Sequence, residues 1–534
     1  MSQPWWSSAV VYQVYPRSFR DTTGTGVGDL RGIIDGLDHL AWLGVDALWL
    51  SPIYPSPMAD HGYDVADYCD IDPTFGTLED FDELLAEAHG RNLRVLLDWV
   101  PNHTSEAHPW FVESRASREN PKRSWYHWCD GTPDTPPNNW TRAFPAGQPA
   151  WSWDPGTEAW YLNLFSPEQP DLNWANPEVR AAMADTLRFW LDRGVDGFRM
   201  DVIHCLGKPE GLPDFPEEVA AIPAVVGIDT EATHAYLREL RDLLEGYDGD
   251  RVAIGEVYLL ETAQIVRYYG SGDELHLAFN FPPMFGGWSA TQWRRHLDAA
   301  QEHFLDHDRW PAWVLSNHDN PRHRTRYGGD EAVARAAAVL LLGLPGTPFL
   351  YAGEELGLED ALVPPERIVD PSGGRRDGCR APIPWTTGPG HGWASADTWL
   401  PFPPEANERS VAAQRAAPDS MLALYRALLK VRAAQPALRV GRCRIVHDEA
   451  GVLAWRRTAR PGEGPPTGQQ RDDVLVVVNF TPEPAPFGAG VGWTAAVSSH
   501  PDRANRPLGE GLLANEALWA VPAGGRNDAD PGVG

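Results

Sequence analysis

The 534-residue chain reads as an α/β protein: a closed (β/α)8 TIM barrel, with a small domain inserted after its third strand and a C-terminal β-sandwich domain. Three observations predict this. Short continuous apolar runs, the pattern of buried parallel strands, recur along the chain with helical patterns between them. One connection is far longer than the rest. After the stretch "SMLALYRALLKVRAAQPAL" helical patterns cease and alternating strands take over.

The first strand is "AVVYQVYP", from Ala9, and the helix after it carries Leu30, Ile33, Ile34, Leu37 and Leu40 on one face until Gly44 stops it. "DALWLSP" follows as the second strand. Thr77 with Asp80 three residues on is a capping signal for a helix whose apolar face is Phe81, Leu84, Leu85 and Ala88 and which ends at Gly90. The remaining strands are "LRVLLDWV", "DGFRMDV", "RVAIGEV", "LHLAFNF", "PAWVLSN" and "TPFLYAG". Eight strands with intervening helices close as a parallel barrel.

Between the third and fourth strands lie roughly seventy residues rich in Trp, Pro, Asn and Asp, far beyond an ordinary connection. The domain bounds that follow are 1–103 and 174–438 for the barrel, 104–173 for the insertion and 439–534 for the terminal β-domain, with the tail "GGRNDADPGVG" expected to be disordered. Loops over a barrel mouth carry function, so the insertion's Trp125, Trp128, Trp140, Trp151 and Trp153 are candidates for contact with a substrate.

Composition excludes several functions. Acidic residues number 74 against 45 basic ones, a formal charge of -29, which disfavours nucleic acid and anionic membranes. The five cysteines, Cys69, Cys129, Cys205, Cys379 and Cys443, are scattered and odd in number, so neither a disulfide framework nor a zinc site is suggested. The amino end enters a strand pattern almost at once, without a basic region or a long apolar run, and reads as lacking a signal peptide; a cytoplasmic location is expected. Pro345 and Pro348 interrupt the most apolar stretch, "AAAVLLLGLPGTPFLYAGEE", which is a buried helix followed by a strand and no membrane span.

In such a barrel the chemistry sits at the carboxy ends of the strands. Strand three ends in Asp98, with Asn102 and His103 just beyond; strand four in Arg199 and Asp201; strand five in Glu256; strand seven in Asn317, His318 and Asp319. Two carboxyl groups flanking a bond are what glycoside hydrolysis requires, one as acid and base and the other as nucleophile. Arg199, on the same strand face as Asp201, is expected to keep that carboxylate ionised, while Glu256, beside apolar walls, suits the proton donor.

The motifs "DWVPNH", "GFRMDVIH", "GEVY", "SNHDN" and "QPDLNW" together resemble those of the α-amylase superfamily, glycoside hydrolase family 13, and within it the oligo-1,6-glucosidase and α-glucosidase branch. The resemblance implies a retaining double displacement, with Asp201 as nucleophile, Glu256 as acid/base and Asp319 as transition-state stabiliser. It further implies that Asp60, Tyr63, His103, Phe165, Gln169, Arg199 and His318 line the pocket for the non-reducing glucose, with Arg376 and Arg380 near it. Val202, directly after the nucleophile, accompanies tolerance of α-1,6 bonds in this branch.

The expected activity is that of an exo-acting α-glucosidase, hydrolysing short α-glucosides such as maltose, isomaltose and sucrose through a covalent glucosyl-enzyme or passing the glucosyl group to an acceptor. The alternative is a sucrose or maltose isomerase or glucosyltransferase of the isomaltulose or trehalose synthase type. A binding protein, like the transporter heavy chains that share the resemblance but lack the acids, is disfavoured by the intact trio. The partners implied are small α-glucosides, with no nucleic acid and no membrane, whether for a monomer or a homo-oligomer.

Two departures from the branch stand out. The loop "DTTGTGVGDL" keeps Asp21 and Asp29 but places Thr23 and Thr25 where acidic or amide ligands often alternate, so calcium or magnesium binding should be weak or absent and no cofactor is required. Its glycines lack the strand and acid context of dinucleotide binding. Asn163 and His204 also differ from the residues expected of the branch, on the aglycone side.

Overall fold

The computed structural model describes residues 3–460 and 473–523; the expected disorder of the tail from Gly524 lies outside the described residues. Eight parallel strands form the central sheet: β1 (Val11–Val14), β2 (Ala47–Leu50), β3 (Arg94–Trp99), β7 (Gly197–Met200), β8 (Val252–Gly255), β9 (Leu277–Ala278), β10 (Ala312–Val314) and β11 (Thr347–Tyr351). The order β10-β11-β1-β2-β3-β7-β8-β9 leaves β9 and β10 to meet, and they do so through one parallel bridge, Phe279 to Ala312. The barrel is thereby near-closed.

Alternation along the strands sorts the side chains. Val11, Trp49, Leu96, Ile254, Phe279, Val314 and Phe349 fill the interior as one apolar cluster. Two residues further along the same faces stand Gln13 after Val11, Asp98 after Leu96 and Glu256 after Ile254, so polar groups crown a dry plug. Outward residues such as Tyr12, Leu48, Leu97 and Phe198 pack instead in the larger cluster shared with the surrounding helices.

Thr77 and Asp80 form the reciprocal capping box expected, and the helix they open runs Leu78–Gly90. The apolar stretch after residue 330 is the helix Glu331–Gly343, buried from Val333 onward, followed by β11. No helix among the described residues is long and apolar enough to cross a membrane.

Within the long connection, β4 (Trp128–Asp130), β5 (Trp151–Asp154) and β6 (Ala159–Leu162) form an antiparallel sheet in the order β4-β6-β5. The C-terminal sheet is antiparallel, β12-β13-β14-β18-β16, from β12 (Arg442–Glu449), β13 (Val452–Thr458), β14 (Asp473–Asn479), β16 (Trp493–Ser498) and β18 (Ala517–Pro522). One face docks on the helix Glu331–Gly343, where the Trp455 and Trp519 indole N–H groups donate to the Gly343 and Val339 carbonyls. The opposite face packs Ala485 and Leu512, from the short ribbon β15 (Ala485–Pro486) and β17 (Gly511–Leu512), against Val477 and Leu518. The second layer of the sandwich is this ribbon.

Candidate active site

Arg199 is the hub at the barrel mouth. Asp98 and Arg199 are paired across β3 and β7, and the guanidinium, 1% exposed, lies against the Trp49 and Tyr63 rings. Its Nη1 donates to Asp98 Oδ1 and to Asp201 Oδ1, each at 2.7 Å, and its Nη2 to Glu256 Oε2 at 2.6 Å. Asp98 Oδ2 accepts further from the Tyr63 hydroxyl at 2.9 Å and the Trp49 indole at 3.1 Å.

This corrects one expectation. Arg199 does not single out Asp201, because three carboxyl groups share it. Burial pushes Asp201 well above the usual carboxylate range; Arg199 opposes the shift, and the charges of Glu256 and Asp98 add to it. Burial likewise pushes Asp98 up to about 6 against the pull of Arg199. Glu256 is also not enclosed by apolar walls alone, since beside the guanidinium it accepts from the Val202 backbone N–H at 3.1 Å.

Val202 departs from the strand alternation. β7 ends at Met200, and Val202 adopts φ 35° and ψ 43°, a left-handed conformation costing a β-branched residue about 1–3 kcal/mol. The turn points its N–H at Glu256 and brings its side chain to the cavity wall, instead of the face shared by Phe198 and Met200.

A second cluster surrounds Asp319. Arg376 Nη1 and Arg380 Nη2 donate to its Oδ1 at 3.1 and 2.9 Å, and His318 Nε2 stands 3.2 Å from Oδ2. Burial alone would raise Asp319, but His318, Arg376 and Arg380 outweigh it and hold the carboxyl well below its usual range. Arg376 also donates to Asp60 Oδ1 at 2.6 Å and to Asp370, while the Gln169 amide donates to Asp60 Oδ2 at 3.2 Å. Burial lowers the His103 imidazole to about 4, so it is neutral at physiological pH.

A cavity of about 410 Å³ opens over both clusters, within the usual range for small-molecule sites. Of the residues singled out in the sequence, Asp60, Tyr63, His103, Phe165, Gln169, Asp201, Val202, Glu256, Asp319 and Arg376 line it. Arg199, His318 and Arg380 do not; they are almost fully buried behind it and orient those that do. Tyr63 is stacked on His318 with ring centres 5.2 Å apart, and Gln13 holds His318 Nδ1 at 2.8 Å from below.

None of Trp125, Trp128, Trp140, Trp151 and Trp153 lines this cavity. Trp140 and Trp151 are buried in an apolar cluster that the insertion shares with Val202, Cys205 and Val225, and Trp128 packs on Phe111 and under Arg123. A small sheet needs large side chains to make a core at all. The insertion contributes Ala143, Phe144, Ala146, Phe165 and Gln169 to the cavity instead, and Phe144 lies under the Arg376 guanidinium. Sequence reasoning also missed Tyr258, two residues past Glu256, and Asn320, directly after Asp319; their place beside the trio was the available signal.

The family description "Alpha amylase, catalytic domain" matches residues 13–441. The chain belongs to the alpha-amylase family. It is 42% identical over 485 residues to a probable alpha-glucosidase of Rhizobium meliloti (strain 1021), covering 85% of this chain and 87% of that one. The crystal structure of the alpha-glucosyl transfer enzyme XgtA superposes with a TM-score of 0.88 at 40% identity, covering 98% of this chain and 100% of XgtA. The trehalulose synthase MutB of Pseudomonas mesoacidophila MX-45 gives a TM-score of 0.86 at 33% identity, with 98% and 100% covered. This alpha-amylase family member is thus a glycoside hydrolase, alpha-glucosidase-like, and its substrates are α-glucosides that it hydrolyses or transglucosylates.

In this family member the carboxylates of Asp21 and Asp29 are engaged by backbone donors. Asp21 Oδ1 accepts from the Thr23 and Gly24 N–H groups and Oδ2 from those of Gly26 and Ser395. Asp29 is similarly occupied by the Thr22 and Gly32 N–H groups.

Proposed function

We propose that the protein is a retaining, exo-acting α-glucosidase that cleaves short α-glucosides such as maltose, isomaltose and sucrose. The observation that carries this reading is the pair Asp201 and Glu256, bound through separate nitrogens of one buried guanidinium and both lining the cavity. Asp201 attacks the anomeric carbon and forms a glucosyl ester, while Glu256 gives its proton to the departing oxygen. Glu256, now a carboxylate, takes a proton from water, whose oxygen attacks the same carbon and returns the electron pair of the ester bond to Asp201. Asp319, held ionised by Arg376 and Arg380, supplies negative charge beside the oxocarbenium-like state.

Asp60, Tyr63, His103, Phe165, Gln169 and Arg376 hold the glucosyl unit, with Arg199, His318 and Arg380 as their support. No metal takes part in these steps. Five free cysteines support placing the enzyme in the reducing cytoplasm.

The likeness to MutB favours one second reading, in which the freed sugar recombines with the glucosyl-enzyme before water does. Product analysis with sucrose and maltose separates the two. Mostly free glucose is the outcome expected here, whereas a rearranged disaccharide as main product establishes the isomerase and overturns the hydrolase reading.

A further inference from the structure

His204 lies in the turn three residues past Asp201, fully buried, and the reaction proposed above does not use it. Its ring is held on two sides. Nε2 stands 2.9 Å from the Val225 carbonyl oxygen, and the Tyr258 N–H meets Nδ1 at 3.4 Å. Burial lowers the imidazole to about 4, which leaves a neutral ring with one donor and one acceptor. The two partners match that tautomer: Nε2–H donates to Val225 and Nδ1 accepts from Tyr258. The Cys205 thiol reaches the same Val225 carbonyl at 3.5 Å, and the His204 carbonyl accepts from Thr233 Oγ1 at 3.2 Å.

Each segment joined by this ring reaches the cavity. Val202 comes from the turn after β7, Val225 and Val226 from the long connection beyond it, and Tyr258 from just past Glu256. The connection itself has only short helical turns, Glu217–Ala220 and Ala224–Val226, and no strand ties it to the barrel. Its outer edge is held by the insertion, where Ala224 N–H donates to the Thr141 carbonyl at 2.8 Å. Its inner edge meets the nucleophile turn through the His204 ring, the Cys205 thiol and the apolar cluster that Val225 shares with Val202 and Cys205. The residues assigned above to the glucosyl unit are joined instead through Arg376, Gln169 and Arg199.

We propose that His204 is a positioning residue for the leaving group and the acceptor: by fixing the Val225–Val226 segment and Tyr258 against the nucleophile turn, it sets the shape of the aglycone half of the pocket. The inference rests on the α-glucosidase reading. Removing the ring leaves the bond-making groups in place but lets the far wall drift, so the effect depends on whether the leaving group meets that wall. A bound geometry displaced by about 1 Å is enough to cost on the order of a hundredfold.

The test compares His204→Leu, His204→Asn and His204→Gln with wild type on α-glucosyl fluoride, maltose and isomaltose, with transfer products measured alongside. Fluoride is too small to touch the wall, so its release should stay within about threefold in all variants, which also shows that they fold. For His204→Leu, kcat/KM on both disaccharides should fall by about tenfold or more, and the ratio of transfer to hydrolysis should change. His204→Gln keeps a donor in reach of Val225 and should recover part of the loss; His204→Asn, too short for that carbonyl, should recover less. An equal loss on all three substrates, or unchanged disaccharide kinetics and products, overturns the proposal while wild-type activity upholds the α-glucosidase reading. A wild type inert toward all three substrates overturns both.

Discussion

Asp98 and Arg199 face each other across β3 and β7 and share a 2.7 Å hydrogen bond, yet the same nitrogen serves Asp201 at the same distance. The nucleophile candidate therefore competes for its cation with an acid that does not line the cavity. Burial lifts both acids; the charge of Glu256 adds to both shifts, and that of Asp98 adds to the shift of Asp201.

Asp98→Asn should expose this competition. Asp98 is raised to about 6 in the fold from an ordinary 3.8, so its proton stabilises the native state below about pH 4 and that contribution fades as pH rises through 6. Asparagine does not titrate. The stability deficit of the variant should accordingly be larger at pH 4.5 than at pH 7.5, by on the order of 1 kcal/mol. Thermal melts at the two pH values check it; an equal deficit at both would show that Asp98 does not titrate in this window.

Asp201→Asn and Glu256→Gln should fail differently. The first removes the nucleophilic charge with almost no change in volume and should lower kcat/KM about ten-thousandfold on every glucoside. The second should lose about a hundredfold or more on maltose but much less on α-glucosyl fluoride, whose leaving group needs no proton, and azide should restore turnover. Labelling with a slow fluorinated α-glucoside should mark Asp201 in wild type; a label on another residue would show the nucleophile assignment to be wrong.

Chelation should matter little. With the oxygens of Asp21 and Asp29 engaged by backbone N–H groups, dialysis against a chelator should move Tm by less than about 1 °C, because weak binding contributes little linkage free energy. A fall of many degrees reversed by calcium would mean that the loop reorganises around an ion.

Val202 lines the cavity from a left-handed turn, so its branched side chain narrows the space beside Asp201. Wild type should cleave isomaltose at a rate comparable with maltose, and Val202→Thr should shift the ratio toward maltose. A packing change of this size biases the choice by only about 1–3 kcal/mol. Rates on both disaccharides test it, and maltose cleavage without measurable isomaltose cleavage would refute it.

The amino-acid sequence by itself determined the barrel and the position of its chemistry. Apolar runs such as "LRVLLDWV" and "RVAIGEV" are too short for buried helices and read as buried strands, and period two puts Asp98 above Leu96 and Glu256 above Ile254, a local rule that needs no tertiary information. Tertiary structure alone decided how the charges are shared. Asp98, Asp201 and Glu256 come from three strands, and only closure of the barrel places them on one guanidinium, where desolvation outweighs the pairing that Arg199 and Asp201 suggest as neighbours in sequence. The same holds for the aromatic residues. A tryptophan's composition does not say whether its own sheet or a ligand will cover it, and the insertion's Trp140 and Trp151 went to the core while Phe144 and Phe165 reached the cavity, because burial is a property of the assembled layers and not of the segment.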